Sequence, residues 1–176
     1  MFGYYYLKLY EARVEADQTG KVSEKTHRLF SNLGYGIQFG RVKFPHTYNF
    51  ARLVFLCAMF DSFDRELIPL GKRLLAHDPS DYQVKYTLTG LLAGSKSQPD
   101  IDLAMGYAHE LTNEYQHPGV QYLLGYLYEK RWRQTHSKAD ANDATGEYRQ
   151  YLNSAPPGAD YYRRNAENSI TEMNNS

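Results

Sequence analysis

The chain has one cysteine, one tryptophan, no net charge and no long apolar run in 176 residues. Each shortage closes off a class of protein. Cys57 alone can form neither a disulfide within the chain nor a cysteine-based metal site. It sits in the apolar stretch Leu53 to Phe60 with nothing basic beside it, the setting of a buried structural thiol. That stretch is the longest apolar run, far short of the roughly 20 residues a membrane helix needs. The N-terminal Met1-Phe2-Gly3-Tyr4-Tyr5-Tyr6-Leu7 lacks a basic leader and is interrupted by Lys8 and Glu11, so it does not read as a secretory signal. Both points predict a soluble, cytoplasmic protein. Lys and Arg number 20 and Asp and Glu 20, so no overall field draws the chain to nucleic acid or anionic lipid. The first 45 residues are mildly basic and residues 46–118 mildly acidic, a dipole rather than a charged tail.

Proline supplies the positive signal. Pro79, Pro118 and Pro157 stand 39 residues apart and each ends a helical stretch. Upstream of each, the apolar spacing predicts a pair of amphipathic helices. A period in the range of about 20–50 residues marks a solenoid, in which a unit buries its apolar face only against its neighbours. In the last full unit, Tyr122, Leu123, Tyr126 and Leu127 predict a helix over 119–135. The polar string His136 to Asn142 predicts a connection, and Ala144, Tyr148, Tyr151 and Leu152 a second helix over 143–153. The unit before it predicts helices over 80–93 and from Pro99 to His117, joined by Gly94-Ser95-Lys96-Ser97-Gln98. The first complete unit predicts helices over 48–60 and 65–77. A final helix over 160–173 has a polar outer face. The first 45 residues allow two readings: helices over 4–16 and 23–33 with Ser23 as N-cap, or a β-hairpin around Thr19-Gly20-Lys21.

Catalytic constellations are missing from the sequence. His109-Glu110 lacks the second histidine of a zinc helix, because residue 113 is Asn. His109, Asn113 and His117 on one helix face read as solvated. No phosphate loop appears, Gly34-Tyr35-Gly36 and Gly40 follow a predicted helix rather than opening one, and no serine elbow is present. The expectation is a non-enzyme with no cofactor and no metal. Lys130-Arg131-Trp132-Arg133 pairs charge with the tryptophan, and Arg163-Arg164 follows Tyr161-Tyr162; without net positive charge, both read as solvated helix ends rather than a nucleic-acid site.

Leu124-Gly125 and Tyr128, followed by Ala144, Tyr148 and Pro156, resemble the tetratricopeptide repeat (TPR) pattern. Tyr86, Gly90, Ala104 and Pro118 repeat it in part, as do Leu75 and Pro79. The string Leu-Gly-x-x-Tyr-Glu is also similar to the related Sel1-like repeats. The resemblance implies an all-α, right-handed α-α superhelix forming a single domain over 1–176. Its units would be a divergent 3–45, then 46–79, 80–118 and 119–157, with a capping helix over 158–173. It also implies a protein–protein interaction or scaffold module, monomeric or homodimeric, binding a partner peptide or helix in a concave groove lined by the first helices. The groove residues by position are Tyr4, Lys8, Asn49, Arg52, Leu56, Met59, Thr87, Leu91, Tyr122, Tyr126 and Glu129. The family's Lys/Asn carboxylate clamp has no match at these positions. Arg52 and Lys8 with Tyr122 and Tyr126 favour a segment carrying an acidic group between apolar side chains. The alternative is a structural or oligomerisation domain of a larger protein, using tyrosine-rich end surfaces.

Overall fold

The computed structural model describes residues 67–115 and 117–175, with isolated positions before them such as Gln18, Thr19, Arg52 and Phe55. These residues form six helices: α1 (Ile68–His77), α2 (Tyr82–Ala93), α3 (Gln98–Glu114), α4 (Pro118–Thr135), α5 (Lys138–Ser154) and α6 (Asp160–Asn174). No strand occurs among the described residues, so the fold is all-α there. Of the first 45 residues, Glu11, Gln18, Thr19, Glu24 and Arg28 are described as helical; the remainder of the helix-or-hairpin question lies outside the described residues. The expected helix over 48–60 lies mostly outside them too, with Ala51, Arg52, Phe55 and Leu56 helical.

Side-chain caps open α2, α4 and α5. The Asp81 side chain accepts from the Val84 amide at 3.2 Å and opens α2. His117 accepts from the Gly119 amide at 3.1 Å, and Pro118 takes the first position of α4, where its missing N–H is no loss. Pro99 does the same near the start of α3, with Asp100 in the first turn. The expected start of α5 at 143 is corrected to Lys138: Ser137 accepts from the Asp140 amide. Its string Ala139-Asp140-Ala141-Asn142 is helical, although its polarity reads as a loop. The connection is therefore only His136 and Ser137, with His136 in the left-handed region at φ 53° to turn the chain. The second helix of the preceding unit ends at Glu114 rather than His117, since Tyr115 is already extended ahead of the Pro118 turn.

Consecutive helices pack on one another throughout, and in addition α2 meets α4 and α4 meets α6. Buried positions repeat between alternate helices. Val84, Leu88 and Leu91 of α2 correspond to Val120, Leu124 and Leu127 of α4; Ile101, Ala104, Ala108 and Leu111 of α3 correspond to Ala141, Ala144, Tyr148 and Tyr151 of α5. Two core clusters share α4. One joins Phe55, α1, α2 and α3 to Leu124 and Leu127, and the other joins Trp132 to α5 and α6. Each fully buried leucine contributes about 1.5–3 kcal/mol relative to exposure.

Helices α4 and α5 cross closely. A Cβ on Gly125 would lie 2.8 Å from Tyr148 Cδ1, so glycine lets the Tyr148 ring lie on the α4 backbone. Gly146, on the exposed side of α5, has nothing within 4 Å. Gly125→Leu should therefore lower stability by about 1–3 kcal/mol in urea unfolding. Gly146→Ala should raise it by about 0.5–1 kcal/mol, because a helical glycine with open space around it only adds unfolded-state entropy. Equal effects at the two positions would show that the crossing is not close.

Candidate functional site

The first helices carry an aromatic series built by their shared spacing. Tyr86 and Tyr122 each lie two residues after the first buried valine of their helix. The Tyr86 hydroxyl lies against Gly119 in the first turn of α4, where a Cβ would collide with it, and its ring is tilted over His117 at 5.8 Å. Tyr122 repeats this one unit on. Its ring meets Tyr162 in the first turn of α6 at 4.9 Å, and Tyr148 and Tyr151 of α5 at 5.6 and 5.1 Å. Each of these tyrosines thus ties its helix to the start of the next first helix. One turn beyond Tyr122, Tyr126 is 38% exposed, and with Tyr82 it is one of two large exposed aromatics among the described residues.

Beneath Tyr126 runs a polar chain. Tyr148 donates its hydroxyl to Glu129 Oε2 at 2.5 Å inside the helix pair. Arg133 donates to Glu129 Oε1 through Nε and Nη2 at 3.0 and 2.8 Å. The same guanidinium donates to both Glu172 oxygens at 2.7 and 2.5 Å, joining α4 to α6. Burial, then the nearby Glu129 charge, pushes the Tyr148 hydroxyl well above the ordinary tyrosine range. Burial also raises Tyr122, against an opposing hydrogen bond from Asn165. The Arg133 hydrogen bond holds Glu172 below the usual carboxylate range.

The structure separates the expected groove residues. Tyr4, Lys8, Asn49 and Met59 lie outside the described residues. Thr87 is 3% exposed, Leu91 8%, Leu56 7% and Glu129 7%; these four are packing residues, and none presents a side chain to a groove in this chain. Tyr122 is half-buried among tyrosines, and Tyr126 is the exposed one. Arg52, expected to steer an acidic ligand, is held by both Asp81 oxygens and by Gln83. Thr87 and Leu91 flank Leu88 on the packed side of α2, which takes both out of reach of a ligand.

All four cations of α2 and α4 are engaged. Lys85 pairs with Glu110 and Glu114, Arg131 with Asp140, and Arg133 with Glu129 and Glu172. Lys130 donates to the carbonyls of Ala93 and Ser95 at 2.7 and 2.5 Å, closing the C-terminal end of α2 from α4. Sequence reasoning missed this buried Lys85 and the ring column Tyr82-Tyr115-His117. The available signal was a lysine inside the apolar run Val84 to Leu88, facing a helix with glutamates at i and i+4. Among the described residues, no three His, Cys, Asp or Glu side chains converge as metal ligands, and no helix is long and apolar enough to cross a membrane.

No family model matches this chain, and no curated protein or solved structure matches it either.

The tyrosine environment has a pH signature. Raised hydroxyl pKa values at Tyr122 and Tyr148 mean that the folded chain holds these protons more tightly than the unfolded chain, whose tyrosines ionise near ~10. That contribution is complete below this range and is lost as pH rises through it. The urea midpoint should stay level in mildly alkaline buffer and fall once pH passes about 10. Tyr148→Phe should lower stability at neutral pH by about 1–3 kcal/mol, because Glu129 loses a buried donor, and should flatten the alkaline fall. A variant with wild-type stability would show that the Tyr148–Glu129 bond carries no weight.

Proposed function

We propose that this chain is a protein–protein interaction module of the TPR-like, right-handed helical-repeat kind, whose first helices receive a peptide or helix from a partner. Several features support the repeat reading: the matched burial of α2 with α4 and of α3 with α5, the contacts of α2 with α4 and of α4 with α6, and the tyrosine that ties each first helix to the next. In a stack of this kind the first helices share one side, and that side is the natural docking face.

The observation that carries the binding role is the placement of exposed aromatic area. Tyr126 stands on α4 at 38% exposure. By contrast, the exposed residues of the last helix are polar, including Asp160, Arg164, Glu167, Asn168 and Thr171. A polar last helix closes a stack, whereas a domain that joins copies end to end needs apolar area there. The aromatic anchor therefore lies along the first helices rather than on the C-terminal end, which favours the interaction module over the structural or oligomerisation domain. With Arg52 held by Asp81, the anchor is aromatic, and the cations of α2 and α4 are already engaged within the chain.

Peptide display against the purified chain provides the test. Selected peptides should lose about tenfold in affinity against Tyr126→Ala, with the circular dichroism spectrum unchanged. Tyr122→Ala should instead lower the melting temperature, because its ring packs on three tyrosines. Peptides that bind Tyr126→Ala as well as the wild type would defeat the reading. Concentration-dependent self-association without any peptide binding would favour the structural domain.

A further inference from the structure

A second surface lies away from Tyr126, at the edge formed by the first turn of α2 and the connection between α3 and α4. Tyr82 opens α2 and is 41% exposed. Its ring stacks on Tyr115 at 4.1 Å and 22°, and Tyr115 in turn stacks on His117 at 5.3 Å and 6°. His117 is held from below by the Gly119 amide. The column is thus fixed from α4, and Tyr82 is its outermost ring.

The charge beside this column is layered. Lys85 lies one turn from Tyr82, with its side chain 7% exposed. Its ammonium meets Glu110 at 2.9 Å and Glu114 at 3.0 Å. The two glutamate side chains remain 51% and 55% exposed. The cation is therefore underneath and the carboxylates face solvent, with one negative charge in excess. Asp81, next to Tyr82, is matched by Arg52, so that pair adds no compensating positive charge.

We infer that this edge is a docking surface for a basic, extended segment of a partner protein, with an arginine side chain laid on the Tyr82 ring and paired with Glu114 or Glu110. A guanidinium is flat, weakly hydrated and able to stack on an aromatic face while its N–H groups reach a carboxylate. A lysine ammonium supplies the charge without the stacking plane, and an acidic segment is repelled. This surface is independent of the one around Tyr126, and either can fail without the other.

Fluorescence anisotropy on the full chain tests it, using labelled Gly-Ser peptides that carry three arginines, three lysines or three glutamates. The arginine peptide should bind, the lysine peptide several-fold more weakly, and the glutamate peptide not at all. Added salt should weaken binding. Tyr82→Ala and Glu114→Gln should each reduce arginine-peptide affinity about three- to tenfold; Glu110 remains in the second variant to pair Lys85. Tyr126→Ala should leave it unchanged. Absence of arginine-peptide binding, equal binding of the glutamate peptide, or undiminished binding by Tyr82→Ala overturns the inference. Loss of binding in Tyr126→Ala also overturns it, since the peptide would then sit on the other face. Should Tyr82→Ala fail to fold, wild-type NMR titration decides: ring shifts at Tyr82 and Tyr115 support the site, and shifts confined elsewhere refute it.

Discussion

The C-terminal half of this molecule depends on one close approach, the Tyr148 ring lying on α4 at Gly125. Without a side chain at 125, Tyr148 enters far enough for its hydroxyl to reach Glu129 at 2.5 Å. That bond and the two from Arg133 satisfy a carboxylate that would otherwise be costly to bury. Arg133 is thereby positioned to reach Glu172, which links α6 to α4. The order of dependence runs from a missing Cβ, to a ring, to a buried acid, to the docking of the last helix. The same ring forms part of the apolar cluster with Trp132, Ala144, Tyr151, Ala166 and Met173, so packing and polar satisfaction fail together if the crossing opens.

Elsewhere cross-helix order comes from charges directed inward. Lys85 under Glu110 and Glu114 joins α2 to α3, Lys130 on the last carbonyls of α2 joins α4 back to it, and Arg131 on buried Asp140 joins α4 to α5. Isolated exposed ion pairs contribute little. The pairs here differ in having one member nearly buried, so removing the partner would strand a charge. The cations of α2 and α4 thus serve cohesion, and the exposed rings Tyr82 and Tyr126 and the Glu110 and Glu114 carboxylates are left at the surface.

Much of this was legible in the sequence, for physical reasons that can be named. The helix pairs read correctly because prolines and caps such as Asp81 and Pro118 act locally. Gly125 stood out in the sequence as part of Leu124-Gly125, and its role at the crossing follows from the Tyr148 ring that lies on it. The start of α5 did not read correctly, since Ala139-Asp140-Ala141-Asn142 carries no apolar period; Ser137 as N-cap was the usable signal. Glu129 read as a groove residue from its position on a first helix, yet it is buried. Arg133 one turn on and Tyr148 from the partner helix satisfy it there, and the second is a tertiary fact. Thr87 is polar in sequence yet buried beside Leu88 and Leu91, a tertiary fact that α2 alone does not reveal; α2 has 12 residues and α4 has 18.

That difference in length bears on how the two surfaces relate. Because α4 extends well past the end of α2, its last turns carry Trp132 and Arg133 toward α6, and Lys130 crosses back to close the shorter helix. Tyr122, one turn before Tyr126, packs on the α4–α5–α6 cluster, while the Tyr82 column is backed by Tyr115 and by His117 at the start of α4. Val84, Leu88 and Leu91, which hold α2 in place, belong to a different core cluster from Trp132 and Tyr148. Helix α4 contributes to both clusters, Leu124 and Leu127 to one and Trp132 to the other, with Tyr128 packed against both. Among the described residues α4 is the helix that supplies buried side chains to both clusters, so a change that shifts α4 acts on both.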